Sequence, residues 1–296
     1  MEGELFGRLY SLVQEEAKLR GRTKRVWFSD ALIVLVYFWA VLHDRPIAWA
    51  CEGCNWPRRW DRPELPSAPT MSRRVPTLRC STFITGVYDR LRSITNSELT
   101  LCRRIDTKPL VVSGFSKDRD AKRGYATGGM ARGYKLAVVW GKGVVPDAVM
   151  VGPLNASDPS CAVNLIDQLA QGDSQASGYL LADTTHDTNP LHQYAAAHAF
   201  QLLTPRKKPG TELGHRDHSV ARLRSIELLE GPGQFGKSLY HHRGEIERDL
   251  AHLCSFGGGL QSLPSWVRHP ARVVRWVIAK LIINGLRQCI IKGLAA

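Results

Sequence analysis

Residues 178–187 have the sequence GYLLADTTHD, an apolar run that ends on an aspartate. The run from Gly178 to Ala182 predicts a short buried strand, and Asp183 follows directly at its carboxyl end. Sheets of α/β proteins bind their ligands beyond the carboxyl ends of the strands, so an acid at this position also indicates a functional site. This stretch therefore predicts an α/β fold with a candidate site residue at a strand end.

Further strands and helices are predicted on both sides of this run. In chain order they are strands at 105–112, 135–140 and 144–151, a helix at 161–170, the strand at 178–182, a helix at 190–197 and a strand at 200–204. Turn-forming pairs such as Gly128 and Gly129 separate the strands. Three strands followed by helix, strand, helix and strand is the order of a mixed α/β sheet.

The sequence pattern of the N-terminal part of the chain predicts helices and not strands. The first 60 residues or so predict a small helical module, in which Ser29 and Asp30 cap an apolar helix over 31–42. A segment rich in Pro and Arg over 58–76 predicts an extended connection. A short connection is also expected, centred on residues 206–224, because only 64 positions separate Asp183 from Glu247. We place the domain boundary after the first connection, which divides the chain into 1–76 and 77–296.

The charge of the chain indicates the class of partner. There are 40 Lys and Arg residues against 27 Asp and Glu residues, a formal net charge of +13. Such an excess favours polyanionic partners, with nucleic acid first and an anionic membrane surface second. The apolar run over 31–42 is about half of the ~20 residues that a membrane-spanning helix requires. No secretory signal pattern is visible, so we expect a cytoplasmic location.

The seven scattered cysteines predict reduced thiols rather than a disulfide framework. Cys51 and Cys54 have zinc-like spacing, but no second pair lies at a matching distance. A zinc site is therefore not favoured.

Two further acids join Asp183 as candidates. Asp106 lies in the strand-like run 105–112, where an acid is out of place unless it faces a site. Glu247 lies in a predicted helical stretch over 240–253, and its spacing from Tyr240 and Arg243 puts all three on one helical face. By the same period Glu245 points elsewhere. Magnesium prefers oxygen ligands, and carboxylates from separate elements can hold two such ions around a phosphodiester.

These residues resemble the DDE transposases of bacterial insertion sequences, whose catalytic domain has a ribonuclease-H-like fold. The stretch from Ile105 to Leu110 resembles the family's first aspartate strand, and residues 181–187 resemble its second. Tyr240, Arg243 and Glu247 match the helical Tyr-x2-Arg-x3-Glu signature. The signature normally continues to a lysine, at the position where this sequence has Cys254.

The resemblance implies a ribonuclease-H-like mixed sheet flanked by helices, and a transposase that cuts DNA at element ends and joins them to target DNA. Asp106, Asp183 and Glu247 would be catalytic and would bind two Mg²⁺ ions, for which Mn²⁺ could substitute. Tyr240 and Arg243 would contact DNA. The implied partner is double-stranded DNA, as terminal inverted repeats and target, bound by a homodimer that is cytoplasmic and nucleoid-associated.

Several alternatives remain open from the sequence. Asp118 and Asp120 are second choices for the first acid, although they lie in a polar stretch typical of a solvated loop. The helical region from Pro264 onward is basic, and the spacing of Arg268, Arg272 and Arg275 places them on one helical face that could contact DNA. The residues at 1–76 would bind the terminal repeats. A metal-dependent nuclease without strand transfer, or a decayed DNA-binding relative, would share the same fold.

Overall fold

The computed structural model describes residues 2–21, 26–57, 64–95, 100–172, 176–213 and 217–294. By packing, the chain divides into two compact units. The first unit comprises residues 1–97, 112–120 and 252–296, and the second comprises residues 98–111 and 121–251. The functional division expected at Pro76 stays a prediction. By packing, the helix that follows Pro76 and the C-terminal helix belong to the same unit as the N-terminal helices.

The helices and strands of both units are numbered here in chain order. They are α1 (Glu2–Arg20), α2 (Asp30–Leu42), α3 (Ile47–Ala50), α4 (Ala68–Arg74), α5 (Leu78–Thr95), β1 (Cys102–Val111), β2 (Lys122–Ala126), β3 (Gly129–Trp140), β4 (Ala148–Pro153), α6 (Asp158–Gly172), β5 (Gly178–Leu181), α7 (Asn189–Ala197), β6 (Phe200–Leu203), α8 (Val220–Glu230), α9 (Phe235–His241), α10 (Gly244–Cys254) and α11 (Pro270–Lys292). Short 3₁₀ turns lie at Gly53–Asn55 and Thr184–His186.

Helix α2 forms the centre of the first unit. The Ser29 hydroxyl accepts a hydrogen bond from the Leu32 amide, which caps the helix as predicted. The residues from Ala31 to Leu42 are all buried, and a helix that is apolar on every side belongs inside a core. Helices α1, α5 and α11 pack against it. The buried helix expected over 31–42 is confirmed.

Among the described residues, no helix combines the length and the apolar character needed to cross a lipid bilayer.

The second unit is built on a mixed sheet. Its strand order is β2-β3-β1-β5-β6, with β4 also paired to β3. Strands β1, β5 and β6 run parallel, whereas β3 is antiparallel to β1, β2 and β4. Helix α6 packs on β3 and β4, and α7 and α8 pack on β6. The predicted α/β class, with a mixed sheet flanked by helices, is confirmed.

Three local expectations were wrong. Strand β2 was not predicted because its residues are mostly polar and exposed, as an edge strand permits. Helix α4 lies in the segment expected to be extended over 58–76, of which 58–63 lie outside the described residues. Helix α8 begins at Val220, inside the connection expected over 206–224, because Ser219 provides an N-cap that accepts from the Arg222 amide.

Candidate active site

The sheet register places Asp106 and Asp183 side by side. Arg104 on β1 pairs with Leu181 on the parallel strand β5. Continued by two residues, this register brings Asp106 next to Asp183, which follows the end of β5. Asp106 therefore lies within its strand, and Asp183 begins the 3₁₀ turn at Thr184–His186.

The carboxyl group of Asp106 is in an environment that disfavours its charge. Burial raises its pKa most, and the negative charge of Asp183 raises it further. The amide of Thr107, which donates to Asp106 Oδ1 at 2.8 Å, and the Arg243 guanidinium act in the opposite direction without cancelling the increase. The positive groups around Asp106 therefore do not fully compensate its negative charge.

Asp183 is held in its charged form by its own turn. Burial alone would raise its pKa, but hydrogen bonds from His186 and Thr185 outweigh burial and bring the pKa below the usual range. His186 Nδ1 lies 2.7 Å from Asp183 Oδ1, and the Thr185 hydroxyl donates to the same oxygen at 2.5 Å. The site therefore keeps a carboxylate at the strand end at neutral pH.

Tyr240, Arg243 and Glu247 do not share one continuous helical face, and that prediction was wrong. Helix α9 ends at His241 and α10 begins at Gly244. The amide of Arg243 bonds to the carbonyl of Tyr240, three residues back, which tightens the backbone into a turn. Gly244 then starts the second helix.

Tyr240 and Arg243 nevertheless reach the two aspartates, and Glu247 is joined to them through Arg243. The Tyr240 hydroxyl donates to the Ala182 carbonyl at 3.1 Å, directly before Asp183. Arg243 Nη1 lies 2.7 Å from Glu247 Oε1, and Arg243 Nη2 lies 3.8 Å from Asp106 Oδ2. Burial and the nearby carboxylates of Asp183, Asp106 and Glu247 raise the pKa of Tyr240, which keeps its hydroxyl protonated. The Arg243 guanidinium is therefore the positive group between two of the acids.

A layer of polar residues that the sequence did not predict supports both aspartates. Asp158, in the first turn of α6, accepts a hydrogen bond from the Thr107 hydroxyl at 3.2 Å. Its other oxygen lies 3.3 Å from the Thr185 hydroxyl, whose proton goes to Asp183 at 2.5 Å. Lys135 on β3 pairs with Asp158 at 2.7 Å. The sequence signal was Ser157 and Asp158 before a proline, which is typical of a helix start and does not by itself indicate a site.

A second unpredicted residue ties α10 to the sheet. Arg104 lies on β1 two residues before Asp106 and therefore on the same face, and its buried guanidinium donates to Glu245 and to the Gly141 carbonyl. It also lies 3.5 Å from Asp249. Glu245 thus faces Arg104 and not the acids, in agreement with its spacing. The anchor fixes the helix that carries Glu247.

Asp118 and Asp120 belong to the first unit, whereas Asp106, Asp183 and Glu247 belong to the second. Among the described residues, Asp118, Asp120 and His269 are the only three potential metal-binding side chains whose ligand atoms all lie within 4.8 Å of one another. Asp118 is 1% exposed, so the expectation of a solvated loop was wrong for it. Its carboxylate accepts hydrogen bonds from the backbone amides of Asp120 and His269 at 3.0 and 3.1 Å. These bonds fix the position of His269, the residue before α11.

The arginines near the C-terminus also differ from the prediction. Helix α11 begins only at Pro270, so Arg268 precedes it. The Arg268 guanidinium donates to the Ser265 carbonyl at 2.6 Å. Arg268 is therefore not on a helical face with the other two. Arg272 is exposed on α11, whereas Arg275 is buried. Their contact with DNA stays a prediction.

Comparison with known proteins identifies the family. No curated protein matches the chain. A piggyBac transposase, solved as a synaptic complex with hairpin DNA, is 12% identical over 99% of this chain and 74% of that chain, with a TM-score of 0.48. The family described as the transposase DDE domain matches residues 100–283, from the start of β1 into α11. Because this match spans more than half of the sequence, the chain belongs to the transposase DDE domain family.

Proposed function

We propose that this chain cuts DNA at the ends of a mobile element and joins those ends to target DNA, with Asp106, Asp183 and Glu247 as the catalytic carboxylates. The observation that carries the proposal is the convergence of these acids with Tyr240 and Arg243 at the carboxyl end of β5. Asp106 and Asp183 come from a strand and a turn, and Arg243 links Asp106 to Glu247 on a helix. Two-metal phosphoryl transfer uses carboxylates from separate elements in this way.

The donor set fits divalent cations of the magnesium class. The three acids offer only carboxylate oxygens, which suit Mg²⁺ and also Mn²⁺. The raised pKa of Asp106 beside a second carboxylate marks a position where added positive charge is favourable. Two bound ions would supply activation of the attacking oxygen and stabilisation of the leaving oxygen. Asp106, Asp183 and Glu247 are the residues that would hold these ions.

Arg243 pairs with Glu247 through one carboxylate oxygen, Oε1, and lies 3.8 Å from Asp106. It therefore orients Glu247 toward the side of the site where Asp106 lies. A guanidinium in this position would also bind a DNA phosphate in the fork geometry that arginine favours. Tyr240, held by the Ala182 carbonyl, lies where it can contact the same DNA segment.

The polar layer behind the acids preserves their separation. Asp158 accepts from Thr107, so a movement of the backbone next to Asp106 would cost a hydrogen bond. Lys135 neutralises Asp158, which prevents a third negative charge from adding to the repulsion between the two acids.

Duplex DNA is the proposed partner, both as terminal inverted repeats and as target. The net charge of +13 favours binding to its phosphates. We propose that residues 1–76 recognise the repeats and that two copies act together, because synapsis joins two DNA ends. A bacterial insertion sequence is the proposed source, with a cytoplasmic, nucleoid-associated location.

The test is Asp183→Ala assayed with the native element ends and Mg²⁺. We expect loss of DNA cleavage with nearly unchanged binding to the terminal repeats. Asp217→Ala is the matched control, because Asp217 is an exposed acid of the same unit outside the site. Cleavage retained by Asp183→Ala would overturn the assignment. Cleavage by the wild type without joined target products would instead identify a nuclease.

A further inference from the structure

A pocket in the first unit holds two buried polar groups that lack partners. The cavity, about 230 Å³ in volume, lies between α2, α3, α4 and the start of α11. Tyr37, 3% exposed, and Arg275, 9% exposed, both line it. The Tyr37 hydroxyl and Arg275 Nε are buried and make no hydrogen bond in the described part of the chain. Unsatisfied buried donors are costly, so such a pair indicates a missing ligand.

The pocket is positively charged. Arg45 and Arg272 line it together with Arg275. Within the described residues, no salt bridge pairs any of these three arginines with a carboxylate, and Arg272 donates only to the Trp266 carbonyl, at 2.9 Å. A buried guanidinium without a counter-charge is unfavourable unless an anion binds it. The missing ligand is therefore anionic, and phosphate matches the fork of arginine donors.

The remaining walls are flat and aromatic. Trp266 is 36% exposed and lines the same cavity as Tyr37. Trp276 also lines it but is buried, with the Lys280 ammonium 5.1 Å from its ring centroid. Trp266 is thus the ring available to an incoming planar group, and nucleobases stack on such rings regardless of sequence.

We propose that this pocket binds a single nucleotide unit of DNA, with the phosphate on Arg275 and Arg272 and the base stacked on Trp266. The cavity volume lies below the ~300 to 1,000 Å³ of pockets for drug-sized ligands, so it admits one unit and not a duplex. An unpaired nucleotide at a DNA end or flap meets this requirement. The inference rests on the proposed function in one respect, which is that DNA is the source of the nucleotide.

The first experiment measures binding of deoxyadenosine monophosphate, inorganic phosphate and deoxyadenosine to the full chain by calorimetry. We expect the monophosphate to bind most tightly, because it engages both the arginines and the ring. Arg275→Gln should weaken it by about tenfold or more, the ~1.4 kcal/mol that one charge-assisted contact supplies. Arg73→Gln is the matched control, because Arg73 is an exposed arginine on α4 that does not line the pocket.

Two exposed lining residues keep the test valid if Arg275→Gln does not fold. Trp266→Ala should weaken the monophosphate severalfold and leave inorganic phosphate unchanged, whereas Arg272→Gln should weaken both. Equal binding by these variants and Arg73→Gln would overturn the proposal, as would equal affinity for deoxyadenosine and its monophosphate.

A competition experiment identifies the source of the nucleotide. Duplex DNA with one unpaired terminal nucleotide should displace the monophosphate, and a blunt duplex of the same length should not. Equal displacement by both duplexes would overturn the DNA part of the inference. Asp183→Ala should retain monophosphate binding, so failure of the proposed cleavage chemistry and failure of this pocket are distinguishable.

Discussion

The acids of the candidate site differ in what surrounds them. Asp106 is half-buried beside a like charge, Asp183 accepts hydrogen bonds from its own turn, and Glu247 is largely exposed and bound to Arg243. The pKa of Asp106 is raised, chiefly by burial, whereas hydrogen bonds lower that of Asp183. Three acids of similar chemical type therefore have different surroundings.

Glu245 and Glu247 offer a matched pair for a residue-scale prediction. Glu247→Gln should reduce DNA cleavage by at least ~100-fold, because an amide is a poor ligand for a hard cation, and should leave the melting temperature unchanged. Glu245→Gln should keep cleavage within a few fold and lower the free energy of unfolding by about 1 kcal/mol, because Arg104 loses a charged partner. Cleavage kinetics and urea unfolding measure the two effects. The reverse pattern would show that Glu245, not Glu247, serves the site.

At the scale of the elements, α8 is tied to the segment that follows β5. Arg222 on α8 contacts both oxygens of the buried carboxylate of Asp187 at 2.7 Å. His192 Nε2 lies 3.4 Å from the same group. Asp187 stands four residues after Asp183, so this ion pair holds the end of the turn that positions the catalytic candidate.

The pH dependence of stability tests this ion pair. Burial alone would raise the pKa of Asp187, but hydrogen bonds from Arg222 and His192 outweigh it and lower the pKa. A lowered folded-state pKa stabilises the fold above the unfolded value of about 3.9, and this contribution is lost as pH falls further. Asp187→Asn should therefore cost about 3 kcal/mol at pH 7 and progressively less below about pH 4.

Urea unfolding of wild type and variant at pH 7, 5 and 3.5 measures this difference. Glu227→Gln, an exposed change on the same helix, is the control and should show a small effect at every pH. A cost for Asp187→Asn that stays constant with pH would contradict an ionised Asp187 in the folded protein.

The sequence predicted elements where a local pattern decides the structure. The apolar helix α2 and the run that forms β5 follow from hydrophobicity and cap residues alone. Strand β2 was missed because it depends on pairing with β3. Helix α8 was missed because its apolar and polar residues are not separated onto opposite faces. The break at Arg243 was missed because Tyr240, Arg243 and Glu247 have helical spacing, although His242 and Arg243 lie between two helices.

The same limit applies to the candidate site. Asp106, Asp183 and Glu247 were selected as candidates through strand-end context and family resemblance. Asp158 and Arg104 were not, because both act through partners distant in sequence: Asp158 through Thr107 and Lys135, and Arg104 through Glu245. Periodicity within one element carries no information about contacts between elements.

At the scale of the whole molecule, the sheet unit supplies the acids and the helical unit supplies the arginine-lined pocket. The segments 112–120 and 252–296 return the chain to the helical unit before and after most of the sheet unit. The family match covers parts of both units. The net charge of +13 is a property of the whole chain. We therefore expect basic residues outside the candidate site to contribute to DNA binding by contacting phosphates.

The salt dependence of DNA binding tests that expectation without any cleavage. Each neutralised phosphate of a duplex contributes about −0.9 to the slope of log K against log salt concentration, so four or more contacts predict a slope of about −4 or steeper. Fluorescence anisotropy with a terminal-repeat duplex, in EDTA to prevent catalysis, gives this slope. With one unpaired nucleotide added at the end of that duplex, Arg272→Gln should make the slope shallower by about 1. Asp217→Ala should leave it unchanged. Binding that is insensitive to salt would mean that the basic residues serve a partner other than the DNA backbone.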